Sequence, residues 1–152
     1  LYTTGNIEHR MEEFFNYGKI KFINDSKGTN IDSTKFAVEA FKNCILICGG
    51  FDKKLDWLPL IELIKAEVKE VYLIGDIADQ LNKMLLENGY DKDKIYLLRD
   101  LKSCLLNMRE RLDKDREEVV LLSPATSSFD QFKSFEHRGE VFKDLVREIF
   151  GR

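Results

Sequence analysis

Four short polar segments carry most of the residues that could recognise an anionic ligand, and each follows an apolar run. Residues 24–30 read Asn-Asp-Ser-Lys-Gly-Thr-Asn, residues 49–54 read Gly-Gly-Phe-Asp-Lys-Lys, and residues 123–128 read Ser-Pro-Ala-Thr-Ser-Ser, while the fourth segment is Gly75-Asp76. A lysine among small residues can reach a phosphate or a carboxylate as a point charge, and neighbouring hydroxyl and backbone N–H groups can complete the contact. This composition indicates binding of a polar, negatively charged ligand.

The same segments also have interpretations that involve no ligand. Residues 24–30 could form a solvated loop in which Asn30 or Asp32 caps the helix that follows. Lys53 and Lys54 could be ordinary surface lysines of a loop. The residue types alone leave these alternatives open.

The elements that would position these segments alternate along the chain. Strands are predicted at residues 11–15, 19–23, 44–48, 70–74, 94–98 and 119–122. The first two form a hairpin that turns at Asn16-Tyr17-Gly18, and stretches with apolar residues three and four apart predict helices between the others. This alternation predicts an α/β domain: a Rossmann-like, mostly parallel sheet with helices on both faces and an antiparallel edge hairpin at the N-terminal end.

Two of the predicted helices border the polar segments. The helix after Asn30 carries apolar residues that we place on one face, namely Phe36, Ala37, Ala40 and Phe41. A long helix after residue 128 carries an apolar stripe made of Phe132, Phe135, Phe142, Leu145, Val146 and Ile149. The periodicity favours a place in the core for Phe135.

The geometry of a parallel sheet brings the four polar segments together. All parallel strands end on the same edge, and the crevice beyond their carboxyl ends is where open α/β sheets bind ligands. Residues 25–30, 49–54, 75–76 and 123–128 each follow such a strand. We therefore expect one binding site along this edge.

Composition limits the classes of protein to consider. With 152 residues, 43% of them apolar and 34% charged, the chain fits one globular domain spanning residues 1–152. A net charge of −3 argues against a nucleic-acid partner. The three cysteines lack metal-ligand spacing, and Cys44 and Cys48 bracket an apolar run, so they are expected in the core without a disulfide or zinc. No apolar segment approaches the ~20 residues of a membrane span and no signal peptide is recognisable, which predicts a cytoplasmic protein. We also expect a monomer.

A longer motif suggests a family. Residues 123–139 read Ser-Pro-Ala-x-x-Ser-x-Asp-Gln-Phe-x-x-Phe-Glu-x-Arg-Gly, and this pattern resembles the C-terminal signature of the UDP-N-acetylmuramoyl-L-alanine:D-glutamate ligases, a branch of the Mur ligase family. Residues 24–30 resemble the Asn-Asp-Ser-Lys-Ala-Thr-Asn element of that family, and residues 49–53 resemble its Gly-Gly-x-x-Lys loop. The resemblance covers nearly the whole chain but only the last third of a ligase.

The resemblance implies roles for individual residues. It implies that four of them bind ATP: His9 and Arg10 would lie against the ribose and base, Asp25 would contact the ribose, and Lys27 would approach the phosphates. It assigns D-glutamate to five others, Lys53, Thr29, Ser128, Phe129 and Phe135, with Lys53 pairing with a substrate carboxylate. Because this chain has Lys54 where the family often has glycine, Lys54 is the alternative for that pairing.

The family reaction follows from the same resemblance. ATP phosphorylates the carboxylate of UDP-N-acetylmuramoyl-L-alanine, and the amine of D-glutamate attacks the acyl phosphate, a step in bacterial peptidoglycan precursor synthesis. The phosphate loop, the Mg²⁺ ligands and the muramoyl site belong to other domains of such ligases, so this domain alone is expected to fold without catalysing the reaction. Two alternatives are a domain of another Mur or folylpolyglutamate-type amide ligase, and a non-enzymatic Rossmann module that senses nucleotides or acids.

Overall fold

The structure, a computed structural model, describes residues 8–52, 54–127 and 131–151. Its strands are β1 (Glu12–Tyr17), β2 (Ile20–Asn24), β3 (Cys44–Gly49), β4 (Val68–Ile74), β5 (Ile95–Arg99) and β6 (Glu118–Leu122). Its α-helices are α1 (Ile31–Ala40), α2 (Leu58–Glu67), α3 (Ala78–Glu87), α4 (Leu101–Arg111) and α5 (Phe135–Phe150). The predicted α/β architecture is confirmed.

The sheet has the strand order β1-β2-β6-β3-β4-β5. The β1–β2 pair is antiparallel and lies at one edge, and every other pairing is parallel. The last strand, β6, lies between β2 and β3, with Ile20 opposite Glu118 on one side and Ile45 opposite Val120 on the other. The polar segment after β6 is therefore placed between the segments that follow β2 and β3.

Both faces of the sheet are covered, so the central strand β3 is buried along its whole length. Leu46 and Cys48 point to the face covered by α1, α2 and α3. Ile45 and Ile47 point to the opposite face, which is covered by α4 and α5. This alternation with period two is why the strand reads as an uninterrupted apolar run.

Cys44 and Cys48 lie in the core, where the sequence predicts them. Cys104, for which no position was predicted, is a buried free thiol as well. Burial raises the pKa of Cys44 and of Cys48 to about 12, which keeps both as unreactive thiols at neutral pH. Within the described ranges, no helix is long and apolar enough to span a membrane.

Several local predictions were wrong. The hairpin turns two residues later than predicted, at Gly18-Lys19, where Gly18 has a φ of 58° and a Cβ would lie 2.4 Å from the carbonyl oxygen of Lys114. In α1 the buried residues are Thr34, Ala37 and Val38, whereas Phe36 is 68% exposed.

The start of the last helix also differs from the prediction. Ser134 caps α5 by accepting a hydrogen bond from the backbone N–H of His137, so the helix begins at Phe135 and Phe132 precedes it. Phe135 is half-buried and lies outside both apolar clusters of the core. The core position that periodicity favoured for Phe135 is therefore wrong.

Candidate functional site

The four polar segments meet at the carboxyl edge of the parallel strands, as predicted. Backbone hydrogen bonds of 2.8–3.1 Å join neighbouring segments, from Ala125 to Gly28, from Gly49 to Pro124, from Phe51 to Ser127 and from Ile77 to Gly50. Direct bonds between loops from distant parts of the sequence make this edge one continuous surface.

Two consecutive glycines allow the segment after β3 to come this close. Gly49 and Gly50 have φ values of 122° and 142°, which side-chain-bearing residues rarely adopt. A Cβ at Gly49 would lie 2.1 Å from the carbonyl oxygen of Ile74, and one at Gly50 would lie 2.6 Å from that of Ser127. The glycine pair is needed for the close packing of the loop beside its neighbours.

A groove of about 570 Å³ opens at this edge beside the start of α1. Its walls carry two cationic side chains, Arg10 and Lys27, and two aromatic rings, Phe36 and Phe135. Asp25, Thr29 and Asp32 also line it. A groove with cations, hydroxyl and carboxylate acceptors, and aromatic surface can bind a ligand that has an anionic part and a planar apolar part.

Asp25 forms part of the floor of the groove and is only 3% exposed. Its Oδ1 accepts a hydrogen bond from the backbone N–H of Met11 (3.0 Å), and its Oδ2 accepts one from the hydroxyl of Ser123 (2.6 Å). Burial raises the pKa of Asp25 to about 6, although both hydrogen bonds oppose the shift. The side chain is therefore a desolvated carboxylate at pH 7.5, with lone pairs left to accept a ligand hydroxyl.

This buried charge predicts a pH-dependent effect of Asp25→Asn on stability. A raised folded-state pKa means that stability falls as pH rises from about 4 through about 6, and a two-unit shift corresponds to about 3 kcal/mol at full ionisation. The amide avoids that loss but fits its hydrogen bonds less well, so we expect the variant to be about 1–2 kcal/mol more stable than the wild type at pH 8. The measurement is urea unfolding of the chain at pH 8 and pH 5.

The control for this prediction is Asp32→Asn, because Asp32 lines the same groove but is exposed. We expect the stability gained by Asp25→Asn to shrink markedly at pH 5, and Asp32→Asn to show no such gain. A gain of equal size at both pH values would exclude the buried charge as its cause.

Glycine at position 28 leaves room for the Asp25–Ser123 hydrogen bond. A Cβ on Gly28 would lie 2.6 Å from Ser123 Oγ and 2.7 Å from Asp25 Oδ2. An alanine here would force the hydroxyl and the carboxylate to move. The difference from the alanine of the related motif therefore affects the packing around the carboxylate.

Lys27 and Phe135 lie together on the groove wall. The Lys27 ammonium lies 5.7 Å from the centre of the Phe135 ring, and the Lys27 side chain is exposed. The backbone is fixed more firmly, because the Lys27 N–H donates to the His9 carbonyl (2.8 Å) and the Thr29 N–H donates to the Lys27 carbonyl (2.8 Å). A mobile cation on a fixed backbone can follow a phosphate without remodelling the loop.

The loop that contains Lys27 is not the solvated capping loop considered above. Asn24, Asp25 and Ser26 are buried, and the Ser26 hydroxyl donates to the carbonyl of Phe135 (2.7 Å). Asn30 does cap α1, by accepting from the Ser33 N–H (2.8 Å). The loop therefore both caps the helix and forms a buried anchor for Lys27.

His9 lies inside the protein, although a His-Arg pair in a polar segment suggests a surface position. The residue is 4% exposed, and its ring packs against Gly139, where a Cβ would lie 2.1 Å from His9 Nδ1. The ring nitrogen Nδ1 is 2.9 Å from Asn24 Nδ2. Because Asn24 Oδ1 accepts the Ser26 N–H, its amide group donates to the ring. In this structure His9 supports the groove from behind, and Arg10 lines it.

Arg138 is a functional candidate that the sequence reasoning missed. Its guanidinium is completely buried and donates to Ser26 Oγ (2.9 Å), to the Ser26 carbonyl (2.8 Å) and to the Thr126 carbonyl (3.1 Å). It therefore ties the loop after β2 to the loop after β6. The signal was present, since Arg138 and Gly139 belong to the motif at 123–139, and glycine inside a helix indicates a close approach.

The structure describes only part of the segments assigned to the amino acid. Lys53, Ser128 and Phe129 lie outside the described residues. Thr126 is buried and donates its hydroxyl to the Phe51 carbonyl (2.6 Å), so its side chain serves loop packing. Lys54 pairs with Asp52 at 3.0 Å on the surface, and the hydrogen bonds from Lys54 lower the pKa of Asp52.

Solved structures with this fold define the class of protein. A murein peptide ligase from Psychrobacter arcticus matches 97% of this chain with a TM-score of 0.68 at 8% identity, and the chain covers 31% of that structure. A MurF ligase from Thermotoga maritima, solved in complex with ADP, matches 96% with a TM-score of 0.60 at 16% identity, the chain covering 32% of it. The chain has the fold of a domain found in Mur-type ligases.

Sequence comparison identifies the branch. Over 145 residues the chain is 63% identical to the UDP-N-acetylmuramoylalanine–D-glutamate ligase of Fusobacterium nucleatum, and it is 37% identical to the enzymes of that name from Prochlorococcus marinus and Clostridioides difficile. These alignments cover 95–98% of the chain and 30–34% of the relatives. No protein-family model matches. Over nearly its whole length the chain is similar to the C-terminal part of UDP-N-acetylmuramoylalanine–D-glutamate ligases, and it spans about a third of these relatives' length.

Proposed function

We propose that the chain is the D-glutamate-binding and ATP-closing domain of a ligase that adds D-glutamate to UDP-N-acetylmuramoyl-L-alanine. The observation that carries the proposal is the groove, which is lined by Arg10, Asp25, Lys27 and Thr29. Residues from two separate segments meet there. Among them, the Lys27 ammonium is suited to bind phosphates and the Asp25 carboxylate to bind a ribose. The similarity to these ligases agrees with this use of the groove.

Within the proposal, ATP lies along the groove with its phosphates towards Lys27. The exposed ammonium of Lys27 neutralises phosphate charge, and Arg10 lines the same groove. Asp25 accepts a hydrogen bond from a ribose hydroxyl, because its two oxygens retain unused lone pairs after bonding Met11 and Ser123. His9 holds this arrangement from below through its carbonyl bond to Lys27.

D-Glutamate is proposed to bind on the side of the β3 and β6 loops. Lys53 and Ser128 take its carboxylates, Thr29 stands between the two ligands, and Phe129 and Phe135 supply apolar contact. Thr29 is suited to this role because it lines the groove and follows Lys27 in the same buried loop. Residues 51 and 127 are joined by a backbone bond of 3.0 Å, which brings the flanks of the two amino-acid segments side by side.

The chain contributes orientation and charge neutralisation to the proposed reaction. The γ-phosphate of ATP passes to the muramoyl-alanine carboxylate, releasing ADP. The amine of D-glutamate then attacks the acyl carbon, phosphate leaves, and the amine loses a proton as the amide forms. By holding nucleotide and amino acid on one edge, the domain brings the amine to the acyl phosphate and lowers the entropic barrier of the encounter.

The proposed reaction uses Mg²⁺ with ATP, and the described residues do not fit that ion. One group has the ligand spacing for a metal, Glu8, His9 and Glu140. The ammonium of Lys143 lies 2.6 Å from Glu8 Oε2 and 3.5 Å from Glu140 Oε2, so a cationic side chain already fills that place. We therefore assign the ion to the other domains of the ligase.

The proposal is tested by Lys53→Ala in the complete ligase. We expect the wild type to incorporate D-glutamate only with ATP, and the variant to raise the KM for D-glutamate about twentyfold, because one charge-assisted hydrogen bond to a carboxylate is lost. The KM for ATP should change less than about twofold, since Lys53 is not assigned to the nucleotide. Both constants come from a steady-state assay of phosphate release.

Lys54→Ala is the matched control, because it removes the neighbouring lysine, whose ammonium pairs with Asp52. We expect it to leave both KM values near those of the wild type. A wild-type ligase without D-glutamate incorporation would refute the proposed function. An effect of Lys54→Ala in place of Lys53→Ala would move the pairing role to Lys54.

A further inference from the structure

The helix α5 carries a lysine that is buried among carboxylates. The side chain of Lys143 is 5% exposed, and its Nζ lies 2.6 Å from Glu8 Oε2, 3.2 Å from Glu12 Oε2 and 3.5 Å from Glu140 Oε2. Glu8 and Glu12 come from the segment that enters the sheet, far from α5 in sequence. A lysine is rarely this buried without charged partners, so this network anchors the entering segment to the helix.

Two contacts of Glu12 extend the network from Lys143 towards the groove. Glu12 Oε1 accepts from the backbone N–H of His9 (3.2 Å) and from the amide of Asn24 (3.1 Å). Asn24 in turn bonds the His9 ring and the Ser26 N–H. The carboxylate held by Lys143 therefore fixes the residue directly before Asp25.

The entering segment itself touches the groove at three consecutive positions. The His9 carbonyl accepts the Lys27 N–H (2.8 Å), Arg10 lines the groove, and the Met11 N–H donates to Asp25 Oδ1 (3.0 Å). A shift of residues 8–12 away from α5 would therefore move the proposed nucleotide contacts together. It would leave the loop after β3, where Lys53 is located, attached through its own bonds to Pro124 and Ser127.

We infer that Lys143 is a positioning residue for the nucleotide groove, acting by fixing residues 8–12 against α5. This inference rests on the proposed function, since it concerns the affinity for ATP. Without the ammonium, the three carboxylates would be left with the His9 ring beside them, with Nε2 3.4 Å from Glu140 Oε2 and 3.9 Å from Glu8 Oε2, and their repulsion would push the entering segment outward. The hydrogen bond and charge of Lys143 also lower the pKa of Glu8, in keeping with an ion pair.

The test is Lys143→Met in the complete ligase, with steady-state kinetics in both substrates. We expect the KM for ATP to rise about tenfold, which corresponds to about 1.4 kcal/mol of nucleotide binding. The KM for D-glutamate and kcat should each change less than about twofold, because the loop after β3, which carries Lys53, is bonded to Pro124 and Ser127 independently of Lys143. Lys143→Arg keeps the cation and should return the KM for ATP to within about threefold of the wild type.

The matched control is Arg147→Met, which removes a cation one turn along the same helix. Arg147 lies over the ring of Phe14 and pairs weakly with Asp144, and neither of these partners belongs to residues 8–12. We expect it to leave the KM for ATP unchanged. If Lys143→Met does not fold, Glu8→Gln takes its place as the test. This variant weakens the shortest contact of Lys143 at a side chain that is exposed, and we expect it to raise the KM for ATP about threefold.

Three results would overturn the inference while the wild-type ligase is active. They are an unchanged KM for ATP in Lys143→Met or in its substitute Glu8→Gln, equal increases in the KM values for ATP and D-glutamate, and no recovery with Lys143→Arg. Failure of the proposed function is a different result, because the wild-type ligase would then show no ATP-dependent incorporation of D-glutamate.

Discussion

Replacing Arg138 with methionine is expected to lower the free energy of unfolding of the chain by about 3 kcal/mol, because a buried hydrogen-bonding group is removed. The guanidinium donates to Ser26 twice and to Thr126 once, and methionine leaves these acceptors buried without that donor. For a domain of this size the melting temperature should fall by roughly 6–12 °C. Thermal and urea unfolding of the chain measure both quantities.

The same substitution should affect both proposed ligands. Ser26 lies between Asp25 and Lys27, and Thr126 belongs to the segment 123–128, two residues before Ser128, so Arg138 holds the two halves of the site together. In the complete ligase we expect Arg138→Met to raise the KM values for ATP and for D-glutamate, each by about tenfold. This pattern differs from the effects expected for Lys53→Ala and Lys143→Met, which are confined to one substrate.

Arg138→Lys is the informative comparison, because it keeps the charge and loses the planar array of donors. Lysine can reach one of the three acceptors but cannot hold both loops at once, so we expect it to recover less than half of the lost stability. Full recovery by lysine would show that the charge alone matters, and the proposed bridging role of the guanidinium would be wrong. Arg147→Met, at an exposed position of the same helix, should change stability by less than about 0.5 kcal/mol.

The parts of the fold that follow repeating patterns could be predicted from the sequence. Apolar runs located the strands, and the alternation of strands and helices predicted a parallel sheet with an antiparallel edge. The meeting of the polar segments at one edge followed from this geometry without any contact information. The strand order did not, because nothing in the sequence of β6 shows that it pairs between β2 and β3.

Predictions failed where a side chain depends on a distant partner. The buried face of α1 was predicted to contain Phe36, but it contains Thr34. The Thr34 hydroxyl donates to the carbonyl of Ser123 (3.2 Å), a contact between residues that are 89 positions apart. Arg138 and Lys143 are charged residues on α5, and a pattern of polarity places such residues in solvent. Their burial is satisfied by carbonyl groups and carboxylates from other segments, which periodicity cannot detect.

Only part of the site could be predicted, because some of its side chains also depend on partners that are distant in the sequence. Asp25, Lys27 and Thr29 were found because they are adjacent in one motif, and the structure places all three at the groove with Arg10. The burial of His9 depends on the absence of a side chain at Gly139, 130 positions later in the chain. The ligand roles of all these residues stay predictions, and Lys53, Ser128 and Phe129 also lie outside the described residues.

Replacing Lys27 with methionine should have the largest effect on activity. In the complete ligase we expect kcat/KM for ATP to fall by about 100- to 1000-fold, the range seen when one preorganised contact to developing charge is removed. Methionine keeps the apolar part of the side chain next to Phe135, so the wall of the groove should persist. Kinetics with varied ATP and urea unfolding of the same variant separate the loss of activity from any loss of stability.

The expected stability of Lys27→Met is close to that of the wild type, because the ammonium is exposed and the bonds that fix the loop come from its backbone. Lys35→Met, at an exposed position of α1 that does not line the groove, controls for the loss of one positive charge from this side of the domain. It should reduce kcat/KM by less than about twofold, since an exposed charge is screened by water and salt. If Lys27→Met and Lys35→Met lowered kcat/KM equally, net charge and not a contact to phosphate would account for the effect. A large effect of Lys27→Met with an unchanged KM for D-glutamate would instead place the phosphates of ATP beside Lys27 and Phe135.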